Sequence, residues 1–242
     1  MADKIANKSP DGTRQAEDFE FAALAEAANY RAAIARLFAP QLQGDVLEVG
    51  AGIGQMLQDI IGICRPATTT AVEPDPKFAA RLRAACPATR VIEGTIHDLP
   101  ATGAFDAIIA VNVLEHIEQD TAELSLWRQH LRPGAGQLCL LVPARPEIYA
   151  PIDADFGHFR RYTRDTLRDK LSAAGFGIEY VRYYNLVGYF AWLVNFKLLR
   201  RRHFDVAAVR TFDRHIFPAS HRIEQSIGGC PFGQSLVAVA QA

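Results

Sequence analysis

The sequence predicts an α/β protein: a doubly wound, mostly parallel seven-stranded sheet whose last strand runs antiparallel if it pairs with the strand before it. Three observations carry this. From Asp45 onward short β-rich runs alternate with helical stretches, the first run ends in a glycine-rich turn, and the chain closes on a strongly apolar run. Alternation of this kind requires right-handed crossovers, and hence a parallel sheet covered on both faces.

Taken in order, Ala, Leu and Phe recur at helical intervals over 16–38, which predicts one or two helices packed ahead of the sheet. Strands are expected at 45–49, 69–72, 90–93, 105–111 and 137–142, with helices at 55–63, 77–85 and 118–131 between them. A further helix is expected over 163–174, with Thr163 as N-cap and Gly175 just past its end. Strands at 176–184 and 234–240 then remain. If these two pair as an antiparallel hairpin, residues 185–233 are an insertion at its tip. Residues 1–15 read as a flexible tail and 16–242 as a single domain.

With 242 residues, 49% of them hydrophobic and 22% charged, the chain falls in the globular range, and disorder, collagen and coiled coil are excluded. The net charge of −1 offers no whole-chain field to hold a nucleic-acid backbone or an anionic membrane. That balance hides a split, because residues 1–150 carry 13 Lys and Arg against 19 Asp and Glu, and residues 151–230 carry 13 against 8. The four cysteines lie far apart without metal-ligand spacing, so no metal site is expected and a reducing, cytoplasmic location is. The polar first twenty residues do not resemble a signal peptide, and the apolar stretch 183–199 is too short and too interrupted for a membrane span.

The most informative segment is Val46-Leu47-Glu48-Val49-Gly50-Ala51-Gly52-Ile53-Gly54. Glycines at alternate positions allow a sharp strand-to-helix turn and remove the Cβ atoms that would keep a ligand off the backbone. The spacing is G-x-G-x-G, with Gln55 next, rather than the G-x-G-x-x-G of a pyrophosphate site. Glu73 stands at the end of the second expected strand, where a carboxylate can accept hydrogen bonds from both hydroxyls of a ribose.

This segment resembles the first motif of class I S-adenosylmethionine-dependent methyltransferases, and Glu73 matches the ribose-binding acid of that family. Glu93-Gly94-Thr95-Ile96-His97-Asp98-Leu99-Pro100 resembles the third motif, and Phe105-Asp106-Ala107-Ile108-Ile109-Ala110-Val111-Asn112-Val113-Leu114-Glu115-His116 the fourth. The resemblance covers roughly residues 30–176 and the last strand, and its closest flavour is the small-molecule branch that includes the ubiquinone-biosynthesis O-methyltransferases. It implies a Rossmann-like methyltransferase fold and S-adenosylmethionine as cofactor, with S-adenosylhomocysteine as product. As cofactor contacts it implies Glu48, Gly50, Gly52, Gly54, Glu73, Pro74, Thr95, Ile96, Asn112, Val113 and Tyr30.

Methyl transfer from a sulfonium is an in-line displacement, so what the protein adds is positioning and, for an acceptor of high pKa, a base. His116, after the fourth strand, and His158, in the polar and aromatic segment after the fifth, are the candidates. Either could instead have a structural role. Arg160, Arg161 and Arg164 with Tyr162 form a basic, aromatic cluster that suits an acidic substrate or marks a solvated helix start. Tyr149, Tyr184 and Trp192 complete the candidate substrate contacts.

Within the insertion, residues 185–202 read as a helix placing Leu186, Tyr189, Phe190, Leu193, Phe196 and Lys197 on one broad stripe, ending in three arginines. A lid over an apolar substrate or a homodimer face is the expected role of the insertion 185–233, with a membrane-surface helix and a buried core helix as alternatives. The reaction expected from the whole is methylation of a hydroxyl on a small sugar, lipid-like or secondary metabolite, acidic or apolar. Methylation of a small amine, and a non-catalytic cofactor-binding regulator or scaffold, stand as alternatives.

Overall fold

Seven strands form one sheet in the order β3-β2-β1-β4-β5-β7-β6 in a computed structural model that describes residues 24–100, 104–226 and 230–242. The expected tail at 1–15 and the start of the first expected helix lie outside the described residues. The strands are β1 (Asp45–Val49), β2 (Thr68–Glu73), β3 (Arg90–Glu93), β4 (Ala107–Val111), β5 (Gln137–Pro143), β6 (Gly177–Tyr184) and β7 (Ser235–Gln241). β1 to β5 pair in parallel, and β7 runs antiparallel between β5 and β6. The fourth strand is shorter than expected because Phe105 makes only an isolated bridge, to Leu131.

Alternation along the central strands divides the core between two faces, as a period of two requires. Val46, Ala107, Ile109, Cys139 and Leu141 pack beneath α1 (Ala28–Phe38) and α2 (Gln55–Ile63). Leu47, Ile108, Ala110, Leu138 and Leu140 pack on the other face, beneath Leu124 and Trp127 of α4 (Asp120–His130) and Leu167 and Leu171 of α6 (Arg164–Ala173). α3 (Pro76–Ala85) starts at Asp75, whose side chain accepts from the N–H groups of Lys77 and Phe78. Thr163 caps α6 and Gly175 follows it at φ +87°, as the sequence predicts.

Residues 185–233 connect β6 to β7 at the carboxyl edge of the parallel strands. Asn185, at φ 62°, caps α7 (Leu186–Trp192) through its side chain. Glu224 of α9 (Phe217–Ser226) accepts the N–H groups of Asn185 and Leu186 at 3.1 and 2.6 Å. The helix expected to continue to Arg202 changes character: it widens into a π-helical turn at Leu193–Leu198, and Arg200 at φ 52° ends it. The widening splits the expected stripe, since Phe196 is buried and Phe190 is exposed. α8 (Val206–Thr211) and a second π-helical turn (Phe212–Ile216) lead into α9. No helix among the described residues is long and apolar enough to cross a membrane. A short α5 (Pro151–Asp155) precedes the His158 loop.

Candidate functional site

β1 delivers the chain into a turn whose glycines all sit at positive φ, with Gly50 at 67°, Gly52 at 55° and Gly54 at 85°. At Gly50 the close approach is explicit, because a Cβ there would meet Val113 Cγ2 at 2.7 Å. The Gly52 N–H donates to Glu73 Oε2 at 2.8 Å and the Asp75 N–H donates to Oε1 at 2.9 Å. Each oxygen therefore keeps an unused lone pair for a further donor. Burial pushes the Glu73 carboxyl above its ordinary range, against those two hydrogen bonds.

Glu48 lies buried in β1 beside this turn, and its Oε2 has no hydrogen-bond partner. Burial, followed by repulsion from Glu73 and Asp59, raises its pKa to about 8. A buried acid of that kind next to a backbone cradle suits a cationic ligand, and the two spare lone pairs of Glu73 suit a diol. S-adenosylmethionine carries both features, so these residues fit it.

The remaining expected cofactor residues are placed unevenly around the turn. Val113 lies against Gly50, and Asn112, held at φ 54°, lines the neighbouring cavity. Pro74 is exposed and leads into Asp75, while Ile96 is buried at the start of a short helical turn. The Thr95 hydroxyl and N–H both engage Asp98. Tyr30 packs against Tyr184 and Phe217 at ring distances of 5.8 and 5.3 Å, and burial raises its phenol to about 12.

The cavity, of about 520 Å³, lies between the sheet edge, α1 and the 185–233 segment. Trp192, Phe196, Phe204 and Phe156 give it apolar walls, and His158 and Arg161 are among its polar lining. The peptide 112–113 connects the two parts of the site, since Asn112 faces the cavity and Val113 the glycine turn.

His158 is nearly fully buried, and its Nδ1 lies 3.0 Å from Asp153 Oδ1. Asp153 also accepts from Arg161 Nε at 2.9 Å and from the Ala150 N–H at 2.8 Å. Burial opposes its charge, yet His158, Arg161 and Ala150 together hold the carboxyl below its ordinary value. An ionised Asp153 can only accept, so Nδ1 carries a proton and the lone pair of the neutral ring lies on Nε2. That nitrogen has no hydrogen-bond partner and stands 4.0 Å from Glu115 Oε1. Arg161 itself is buried, bonded to the Ala144 carbonyl, and lies 4.3 Å over the Trp192 ring.

His116 stands edge-on to His158 at 4.7 Å. Although part of its surface meets solvent, crowding around the ring and the neighbouring imidazole lower its pKa to about 4. A base that weak is poorly matched to neutral pH. Glu115, His116 and His158 also bring one ligand atom each to within 4.8 Å of one another, a carboxylate and imidazole set compact enough for a divalent cation, where the sequence suggested none.

The basic cluster is largely turned away from the cavity. Arg160 pairs with Asp120 at 2.7 Å and donates to the Glu118 carbonyl, and the buried Tyr162 hydroxyl donates to the same Asp120 at 3.0 Å. Arg164 lies over the Tyr183 ring. Tyr149 donates to the His158 carbonyl at 2.7 Å, so it holds the loop rather than lining the cavity, and Tyr184 is buried among Tyr30, Phe217 and His221. Among the residues proposed for substrate, Arg161 and Trp192 line the cavity. Asp153, Glu115 and Asp213 were missed by sequence reasoning, although an acid five residues before His158 was a visible signal.

The sheet order, its antiparallel β7, the glycine turn after β1 and the acid at the end of β2 define the fold of class I S-adenosylmethionine-dependent methyltransferases. A family profile described as Methyltransferase domain matches residues 21–181, and the chain belongs to that family and is a methyltransferase. Among solved structures it is similar to the chain in complex with the Trm112 methyltransferase activator of Haloferax volcanii, at 13% identity and a TM-score of 0.64, with 98% of this chain and 99% of that one covered. An S-adenosylmethionine-dependent methyltransferase from Mesorhizobium loti matches at 17% identity and a TM-score of 0.59, covering 86% of this chain and 95% of that one. A geranyl diphosphate methyltransferase in complex with geranyl diphosphate and sinefungin matches at 13% identity and a TM-score of 0.60, covering 86% and 76%. At these identities the likeness is one of fold. No curated protein sequence matches the chain.

Proposed function

We propose that this methyltransferase binds S-adenosylmethionine on the glycine turn and methylates a hydroxyl of a small, largely apolar molecule held in the cavity. The observation that carries the reading is His158, a cavity-lining residue anchored at Nδ1 by an ionised Asp153, whose buried Nε2 makes no hydrogen bond and stands 4.0 Å from Glu115 Oε1. When bound, the cofactor supplies an electrophilic methyl group on a good sulfonium leaving group.

The chain supplies the rest. Gly50 and Gly52 open the backbone to the adenosyl group, Glu73 accepts from the ribose hydroxyls, and Glu48, held protonated by burial in the ligand-free chain, releases its proton as the cationic end binds beside it. Nε2 of His158 takes the hydroxyl proton as the acceptor oxygen gains the methyl group. Asp153 holds the ring in the productive tautomer and stabilises the imidazolium that results. Arg161 keeps Asp153 ionised and walls the cavity through its stack on Trp192.

The cavity lining favours the lipid-like acceptor over the sugar, in keeping with the resemblance to ubiquinone-biosynthesis O-methyltransferases. The capture of Arg160 and Tyr162 by Asp120 weighs against the acidic substrate. The 185–233 segment serves as the lid that shapes the acceptor site.

A panel of apolar alcohols, phenols and amines, followed by S-adenosylhomocysteine release, tests the reading. His158→Ala is expected to lower kcat on the hydroxyl acceptor by about 100-fold or more, with cofactor affinity kept. Unchanged turnover would remove His158 as base and favour the amine. Activity lost to a chelator and restored by a divalent cation would instead make Glu115, His116 and His158 a metal site.

A further inference from the structure

The outer side of the 185–233 segment carries a feature that methyl transfer does not use. Phe190, Val194, Leu198 and Leu199 are 49%, 47%, 66% and 57% exposed. The first three recur at intervals of four along α7 and the π-helical turn, so they form one ridge. Its far end is strongly basic: Lys197, Arg200, Arg201 and Arg202 are all exposed. Residues 180–204 contain five Lys and Arg and no Asp or Glu, so no acid within the segment offsets this charge. Two of the cations are fixed at the base of the ridge, Lys197 by the Tyr149 carbonyl and Arg202 by Asp155.

The opposite side of the same helical run faces the interior. Trp192 and Phe196 are buried and line the apolar cavity. A single element thus separates the cavity from an exposed surface that is apolar along its length and cationic at its end.

We propose that this ridge docks the enzyme on an anionic phospholipid surface. Apolar side chains beside a cluster of Lys and Arg match the two layers of such a surface, acyl chains below and negative headgroups above. A second copy of the chain is a poorer occupant. A two-fold contact would set the four cations against, or close to, those of its partner, and four apolar side chains fall well short of the roughly 800 Å² that each partner buries in a stable interface. The whole-chain charge of −1 is no obstacle, because the attraction acts within about 10 Å of the surface.

The test is partition of the intact protein onto sedimented vesicles, either of phosphatidylcholine alone or with a third of phosphatidylglycerol. Binding is expected to be about ten-fold or more stronger to the anionic vesicles and to weaken in high salt. Leu198→Glu with Leu199→Glu should remove about nine-tenths of it and Arg200→Glu several-fold, with thermal unfolding showing that both variants stay folded. No partition of the wild type, equal partition onto both vesicles, or wild-type partition by folded variants would overturn the proposal. So would a solution dimer that the double substitution dissociates.

Discussion

The glycine turn after β1 and the cavity beneath residues 185–233 occupy the same edge of the sheet, yet they are built from different material. The turn is largely backbone: positive-φ glycines, the Gly52 N–H fixed by Glu73, and the buried Glu48 beside it. The cavity is largely side chain, with aromatic walls and a polar corner of His158, Asp153 and Arg161. Backbone geometry tolerates few sequences and serves a common ligand, whereas side-chain walls can change with the acceptor. The charge split follows the same line, acidic over residues 1–150 and basic over 151–230.

The contrast breaks most sharply at Gly52. Gly52→Val places a β-branched residue at φ 55°, a strain of about 1–2 kcal/mol, and sets a side chain into the cradle. We expect S-adenosylmethionine affinity to fall by about 100-fold in calorimetry, with the fold retained. Affinity within a few-fold of wild type would remove the turn as the cofactor site.

Asp213 probes the other region, because it lines the cavity and ties it to the start of α1. It accepts the backbone N–H groups of Asn29 and Tyr30 at 2.9 Å each, capping the start of α1 from a residue 184 positions away in the chain. Asp213→Ala should cost about 1–2 kcal/mol, read as a fall in Tm of roughly 3–6 °C. The KM for the acceptor should rise more than the Kd for the cofactor. Equal changes in both would mean that the two regions are not separable.

Glu48 gives a pH effect of definite sign. Its folded pKa of about 8 exceeds the ordinary 4.5, so between those values the folded chain holds a proton that the unfolded chain releases. Its contribution to stability therefore declines as pH rises through that window. Glu48→Gln should flatten the loss of thermal stability of the ligand-free protein between pH 5 and 8. A variant with the wild-type slope would assign the pH dependence elsewhere.

Much of this was legible in the sequence because it depends on local rules. The strand at Asp45–Val49, the helix at Gln55–Ile63 and the cap at Thr163 are found where pattern and capping chemistry put them. The turn and its acid were legible because glycine spacing and the distance to Glu73 are one-dimensional facts. The cavity was not. Whether Arg160 and Tyr162 faced a substrate depended on Asp120, some forty positions earlier, which claims both. The π-helical turn at Leu193–Leu198 shifted the register of the insertion helix, and no periodicity argument anticipates such a shift. Asp153 beside His158 was visible as a residue and became a partner only through the fold.

A crystal structure of the protein with S-adenosylhomocysteine would show directly whether the glycine turn and the cavity form one site. The adenosyl group is expected over Gly50 and Gly52 with its ribose hydroxyls on Glu73, and the amino-acid end near Asn112 with the sulfur open to the cavity that His158 lines. Electron density for the ligand elsewhere, or a sulfur closed off from that cavity, would contradict that arrangement.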